Sequence, residues 1–94
     1  MSYELRFERN ALKEWQKLDW SVKDQFLNIL ERRLQNPRVQ SAKLRDAPDC
    51  YKIKLKALGY RLVYQVIDTE VVVLVLAVGK REGDLVYRRM KARQ

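Results

Sequence analysis

The stretch from Cys50 to Gly79 constrains the chain most, because it reads as three consecutive strands separated only by short breaks. Tyr51-Lys52-Ile53-Lys54-Leu55-Lys56 alternates apolar and charged residues at the two-residue period of a strand. Leu58-Gly59 then separates it from Tyr60 to Ile67, and Asp68-Thr69-Glu70 precedes the apolar run Val71 to Val78. Breaks this short join antiparallel neighbours, since a parallel return needs a dozen or more residues. The expectation is an antiparallel meander of roughly Cys50 to Lys56, Tyr60 to Ile67 and Val71 to Gly79. The apolar run is less than half of what spans a bilayer and suits a buried strand.

Upstream, Tyr3, Leu5 and Phe7 alternate with Glu4 and Arg6, which predicts a half-buried first strand. Leu12, Trp15 and Leu18 fall at helical spacing and predict a short amphipathic helix from about Asn10 to Asp19. A second helix is expected to start at once, capped by Ser21 with Asp24 three residues on, and to carry the stripe Phe26, Ile29, Leu30 and Leu34 up to Asn36-Pro37. Both Trp15 and Trp20 are expected in the core or at the hairpin corner rather than as stacking platforms. From Arg38 to Asp49 no period survives, and a long loop carrying Arg38, Lys43 and Arg45 is expected. The tail Asp84 to Gln94, with Leu85, Val86 and Met90 among basic residues, is compatible with a short, weakly anchored helix. The order is β-α-α-β-β-β with a tail, an α+β class in which a helical hairpin packs on an antiparallel sheet.

The 94 residues suit one domain over 1–94, and a hydrophobic fraction of 47% is enough for a core without metal or disulfide support. Cys50 is the only cysteine and histidine is absent, so neither an internal disulfide nor a zinc ligand set can be assembled. A reducing cytoplasm is the expected location, and the charged N-terminal stretch does not read as a signal peptide. No membrane partner and no cofactor are expected. The net charge of +8 makes a polyanion the natural partner, provided the charges are gathered in one place.

They are gathered on the meander. Lys52, Lys54 and Lys56 occupy alternate positions and share one face. If Leu58-Gly59 is a two-residue turn, Lys56 lies opposite Arg61, Lys54 opposite Val63 and Lys52 opposite Gln65, so Arg61 joins the lysines. A three-residue turn would send Arg61 to the helix-covered face, where an unpaired guanidinium is costly. Like charges crowded on one face repel, which favours a phosphate site over a merely solvated surface. Either Lys80 or Arg81 continues this face, depending on the length of the Asp68-Thr69-Glu70 turn.

Cleaving RNA through its own 2′-hydroxyl requires a base, stabilisation of the phosphorane and support for the departing 5′-oxygen. Without histidine those roles fall to Lys, Arg or Tyr. Neighbouring cations lower the pKa of a lysine or tyrosine, though bringing tyrosine near 7 would take on the order of 4 kcal/mol. Such a catalyst depends on help in positioning its substrate.

The run Lys43-Leu44-Arg45-Asp46-Ala47-Pro48-Asp49-Cys50-Tyr51-Lys52-Ile53-Lys54-Leu55, then Gly59-Tyr60-Arg61-Leu62-Val63-Tyr64-Gln65-Val66, then Val78-Gly79-Lys80-Arg81 and Tyr87, resembles the RelE family of toxins, as does Ala11-Leu12-Lys13-Glu14-Trp15. The resemblance covers almost the whole chain and fits the tail from Arg88 less well. It implies a microbial-ribonuclease-like fold and a metal-independent endoribonuclease that cuts mRNA in the ribosomal A site, leaving a 2′,3′-cyclic phosphate and a 5′-hydroxyl. Lys52 or Lys54 would then be the general base, Arg61 would stabilise the phosphorane, Arg81 would assist the leaving oxygen, and Tyr87 would orient or help activate the 2′-hydroxyl. Arg45, Lys56, Lys80 and Lys43 would contact RNA. The implied partners are the 70S ribosome with its 16S rRNA, mRNA, and a RelB-like acidic antitoxin whose helix displaces the toxin's tail. Through that complex the pair would bind operator DNA and repress its own operon.

Two rivals use the same residues differently. A ParE-like inhibitor of DNA gyrase needs no nuclease cluster, and the full set Lys52, Lys54, Arg61, Arg81 and Tyr87 argues against it. A pure nucleic-acid-binding module would lose affinity in proportion to charge removed, whereas an enzyme loses rate.

Overall fold

A computed structural model of the chain describes residues 2–94. Its elements run β1 (Glu4–Phe7), α1 (Arg9–Gln16), α2 (Trp20–Gln35), β2 (Cys50–Leu55), β3 (Tyr60–Ile67), β4 (Val72–Lys80) and α3 (Leu85–Arg93), with a 3-10 turn at Gln40–Ala42. The four strands form one sheet in the order β1-β4-β3-β2. The meander is antiparallel, as its short connections require, whereas β1 joins β4 parallel. The helical pair and the loop before Cys50 supply the long crossover that a parallel pairing needs. Among the described residues, no helix is long and apolar enough to cross a membrane.

Each sheet face has its own core. On one, Tyr51, Ile53, Leu62, Tyr64, Val73 and Val75 meet Ala11, Val22, Phe26 and Leu30 of the helical hairpin. Trp15 lies in this layer, with ring centroids 5.2 Å from Phe7 and 6.2 Å from Phe26. Trp20 does not, and is 70% exposed. It stands two residues before Val22, about 200° round the helix from the buried stripe, so burying Val22, Phe26 and Leu30 turns it outward. Helix α2 also begins earlier than Ser21 suggests. The Asp19 carbonyl takes the amides of Val22 and Lys23 at 3.1 and 3.0 Å, which leaves Ser21 inside the first turn.

On the opposite face α3 lays Val86 and Met90 against Val63, Leu76 and Ala77. The weakly anchored tail expected from its composition is instead a docked helix. Beyond Phe7, β1 no longer covers the edge of β4, and polar groups satisfy that edge one by one. Glu14 on α1 accepts the Val78 amide at 3.2 Å, while Arg93 on α3 donates to the Leu76 carbonyl at 2.9 Å. Arg93 and Glu14 also form two bonds of 2.9 Å, and Arg89 adds a third of 3.1 Å. Burial alone would raise the Glu14 pKa, but Arg93, the Val78 amide and Arg89 outweigh it and hold the carboxyl below its usual 4.5.

The loop before β2 is fastened at the far end of the sheet. Arg38 bonds Asp49 at 2.8 Å and Asp68 at 2.7 Å, and the Tyr3 hydroxyl donates to Asp68 at 2.6 Å. Tyr64 accepts from Arg33 at 2.9 Å and donates to the Pro37 carbonyl at 2.7 Å. Arg38 is therefore a structural tie at this end of the meander.

Candidate active site

Two irregularities of the meander decide which cations share a face. In the β2–β3 pair Leu55 faces Tyr60 and Lys54 faces Arg61, so the connection is the four residues from Lys56 to Gly59. The register is thus two residues from the one expected, which pairs Lys54 rather than Lys56 with Arg61. A shift of two keeps every side chain on its face, and Arg61 still joins Lys52 and Lys54. Lys56 lies in the turn instead of the strand.

The second irregularity is a β-bulge in β4. Partners run from Ile67 opposite Val72 to Tyr64 opposite Val75, then resume with Val63 opposite Ala77, so Leu76 is the extra residue. Past it Arg61 faces Gly79 and Tyr60 faces Lys80. Tyr60 packs toward the helical hairpin, so Lys80 belongs to that side and leaves the cationic face. The next residue, Arg81, reaches it instead, its amide donating to the Gly59 carbonyl at 2.6 Å. Were Leu76 paired with Val63 instead of bulged, the assignment would reverse. Lys43 fails to join for a similar reason: its backbone bridges to Tyr51, whose side chain faces the hairpin core.

Lys54, Lys56, Arg61 and Arg81 line a cavity of about 150 Å³ at this end of the sheet. Lys54 is held below the ordinary lysine value of 10.5, first by Lys52 and then by Arg61, with burial, Lys56 and Arg81 adding to the effect. Tyr87 of α3 accepts a hydrogen bond from Arg61 at 3.3 Å, and the guanidinium carbon lies 5.4 Å from the ring centroid. Tyr87 and Lys52 also line a neighbouring cavity of about 310 Å³, where the Leu44 to Ala47 loop faces Met90 and Lys91. Arg45 is in that wall. The proton-transfer and charge-stabilising groups gathered here are amines, guanidiniums and a phenol.

Strand alternation does not reveal the second wall. Met90 and Lys91 are brought to the site by α3, whose Tyr87, Met90 and Lys91 share one face at helical spacing, and Asp46 by the loop before β2. Cys50, fully buried beneath, is pushed up to about 11 by burial and by Asp49, which makes it a packing residue.

Residues 5–85 match the family described as the ParE toxin of type II toxin-antitoxin system, parDE. Over 87 residues the chain is 56% identical to the mRNA interferase toxin RelE of Escherichia coli strain K12, covering 93% of this chain and 92% of that one. The chain belongs to the RelE/ParE toxin family. Its RelE fold is that of free mutant E. coli RelE, with a TM-score of 0.91 and 53% identity over 99% of this chain and 98% of that one. RelE in the intact E. coli RelBE toxin-antitoxin complex matches at a TM-score of 0.83 with 56% identity, over 86% of this chain and 99% of that one. An archaeal RelE from Pyrococcus horikoshii, 22% identical with a TM-score of 0.67, shares the fold. In this RelE-family chain the β4 bulge and the docked α3 are what bring Arg81 and Tyr87 to the two lysines and Arg61.

Proposed function

We propose that this toxin is a ribosome-dependent endoribonuclease that cuts mRNA in the A site. The observation that carries the proposal is the convergence of Lys54, Arg61 and Arg81 around one small cavity, with Tyr87 bonded to Arg61 at its border. The 56% identity to a protein named mRNA interferase toxin RelE supports the same substrate. Lys54, its pKa lowered chiefly by Lys52, takes the proton of the 2′-hydroxyl, and Lys52 supplies the charge that makes this possible. The 2′-oxygen attacks phosphorus, and Arg61 balances the charge that builds on the phosphorane. The P–O5′ bond breaks, Arg81 offsets charge on the departing 5′-oxygen until water protonates it, and Lys54 returns its proton to solvent, leaving a 2′,3′-cyclic phosphate and a 5′-hydroxyl. Tyr87, held by Arg61, orients the 2′-hydroxyl. Arg45 and Lys56 meet flanking phosphates, and the ribosome provides the positioning that an amine-based catalyst needs.

Its inhibitor is an acidic RelB-like antitoxin, consistent with the +8 charge and with the matched RelBE complex. An antitoxin helix that took the place of α3 would carry Tyr87 away from Arg61 and disarm the site. The toxin-antitoxin pair binds operator DNA through the antitoxin, and the toxin acts in the cytoplasm, where ribosomes are.

The test is primer extension on programmed ribosomes treated with wild type or Arg81→Ala. A-site breaks that vanish with Arg81→Ala are expected. An intact message with folded wild-type toxin would overturn the proposal, and inhibition of gyrase supercoiling by the same preparation would put the ParE-like activity in its place.

A further inference from the structure

The helical hairpin carries a second group of cations that the cleavage cluster leaves unused. Arg9, Lys13 and Lys17 recur every four residues along α1 and its C-terminal cap, and all three are exposed. They stand about 160–240° round the helix from the fully buried Ala11, so they form one stripe on its outer face. Helix α1 runs alongside β4: the Glu8 amide donates to the Val75 carbonyl at 2.8 Å before its start, and the Glu14 carboxylate accepts the Val78 amide at 3.2 Å near its end. Lys17 therefore lies toward the end of β4 that finishes at Lys80. The bulge that turns Lys80 away from the cleavage cluster puts it on the hairpin side of the sheet, where it is exposed. None of these four cations forms an ion pair among the described residues. Trp20, 70% exposed, stands three residues beyond Lys17 and so within about 11 Å of it.

We propose that this outer corner is a second RNA surface, separate from the cleavage cluster, on which Trp20 stacks on one unpaired base while Arg9, Lys13, Lys17 and Lys80 hold backbone phosphates. The inference rests on the ribosomal reading above and names ribosomal RNA as what this face meets. A base presents a flat face that a single indole can cover, and such stacking tolerates any base. A partner helix would instead need an apolar stripe at helical spacing. Trp20 has none beside it, since Lys23 and Asp24 stand three and four residues on. The other exposed large hydrophobics among the described residues are Leu12, more than a turn back along α1, and Leu58, in the β2–β3 connection. Asp19 and Asp24 flank Trp20 and are too few to neutralise the four cations. Folded RNA supplies both ligands together, dense phosphate and single bases freed at bulges and loops. The hairpin covers the sheet face opposite α3, so RNA held here leaves the cleavage cluster open to the message.

Two measurements on the intact chain test it. The first titrates the chain with an RNA hairpin bearing one unpaired adenine and with the same hairpin fully paired, following the indole N–H resonances of Trp15 and Trp20. The bulged hairpin should shift the Trp20 signal, leave Trp15 in place and bind about tenfold more tightly than the paired one, within the range for one base stacked on an aromatic ring. Trp20→Ala should erase that difference, and joint Lys13→Gln and Lys17→Gln should reduce the salt dependence of binding by about two phosphate contacts. The second measures ribosome affinity by cosedimentation, and message cleavage against toxin concentration. Trp20→Ala should raise the half-saturating toxin concentration about tenfold while the cleavage rate at saturation and the urea midpoint stay at wild-type values. Ribosome affinity unchanged in Trp20→Ala and in the double lysine variant would overturn the surface and leave the nuclease reading intact. Loss of affinity for an acidic antitoxin instead of the ribosome would overturn it too and assign the face to that protein. Ribosome binding that depends on Trp20 in a chain that cuts no message would support the surface and overturn only the nuclease reading.

Discussion

Glu14→Ala removes one carboxylate and three tertiary attachments of α3 and β4 at once. It eliminates two Arg93 bonds of 2.9 Å, the Arg89 bond of 3.1 Å and the acceptor for the Val78 amide at 3.2 Å. Arg93 keeps its bond to the Leu76 carbonyl, which limits the loss. Orphaning the Val78 amide costs about 1–3 kcal/mol. The ion pair adds about 1 kcal/mol, discounted because Glu14 and Arg93 remain 17% and 14% exposed. The sum, about 3 kcal/mol, is roughly a hundredfold in the folding equilibrium and on the order of 15 °C in Tm for a domain this size. Urea denaturation measures the loss, and amide hydrogen exchange locates it: α3 should lose protection before the sheet, because the helix can undock while the meander stays paired. The acid limb gives an independent check. With its folded pKa below the usual 4.5, Glu14 contributes stability that is present above that value and is lost as pH falls through the lower folded value. The variant should lack this component. A loss below about 1 kcal/mol with α3 protection unchanged would refute the reasoning and reduce the Glu14 cluster to a solvent-screened surface bridge.

Tyr87→Phe keeps the ring against Arg61 and deletes only the hydroxyl, so message cleavage should fall by roughly 10- to 100-fold with an unchanged urea midpoint; equal losses in both would make the hydroxyl structural. If Lys54 is the base, the rate should rise with pH toward an inflection below 10.5, and Lys52→Met, which removes the neighbouring charge chiefly responsible for that depression, should move the inflection upward. An inflection that ignores Lys52→Met would exclude Lys54 from the role. Val71 holds φ at 56° in the turn before β4, a region that a β-branched residue enters only at a cost of about 1–3 kcal/mol. Val71→Asn should therefore raise the urea midpoint, and a lower midpoint would show that the lost Val71 packing outweighs the backbone relief.

Strand alternation makes most of the cationic face legible, because face depends only on parity. The β2–β3 register lies two residues from the one a two-residue turn would set, yet Lys52, Lys54 and Arg61 still share a side. Parity fails at Lys80 and Arg81, since a bulge inside the all-apolar run from Val72 to Val78 leaves no mark in the residue types. Trp20 takes the second of its two expected places, the hairpin corner, where its angle to Val22 and Phe26 dictates exposure, and size alone does not choose between corner and core. The docking of α3 is illegible for a different reason. Glu14 meets Arg89 and Arg93 across 75 and 79 residues, and a single acid on a short helix gives no sign of partners that far along the chain. Asp46 is hidden in the same way, in a loop whose meaning depends on the helix opposite.

The extra residue at Leu76 gives β4 something like a reading frame. Upstream of it the strand is in one phase with β3, downstream in the other, and the two basic residues at its end are read out in the second phase. Pairing Leu76 with Val63, with no residue added or lost, would advance everything beyond it by one position and put Lys80 on the cationic face in place of Arg81. Most substitutions in the strand would trim stability by degrees. A slip that closed the bulge would act as a frameshift does, leaving the composition intact and the sense reversed.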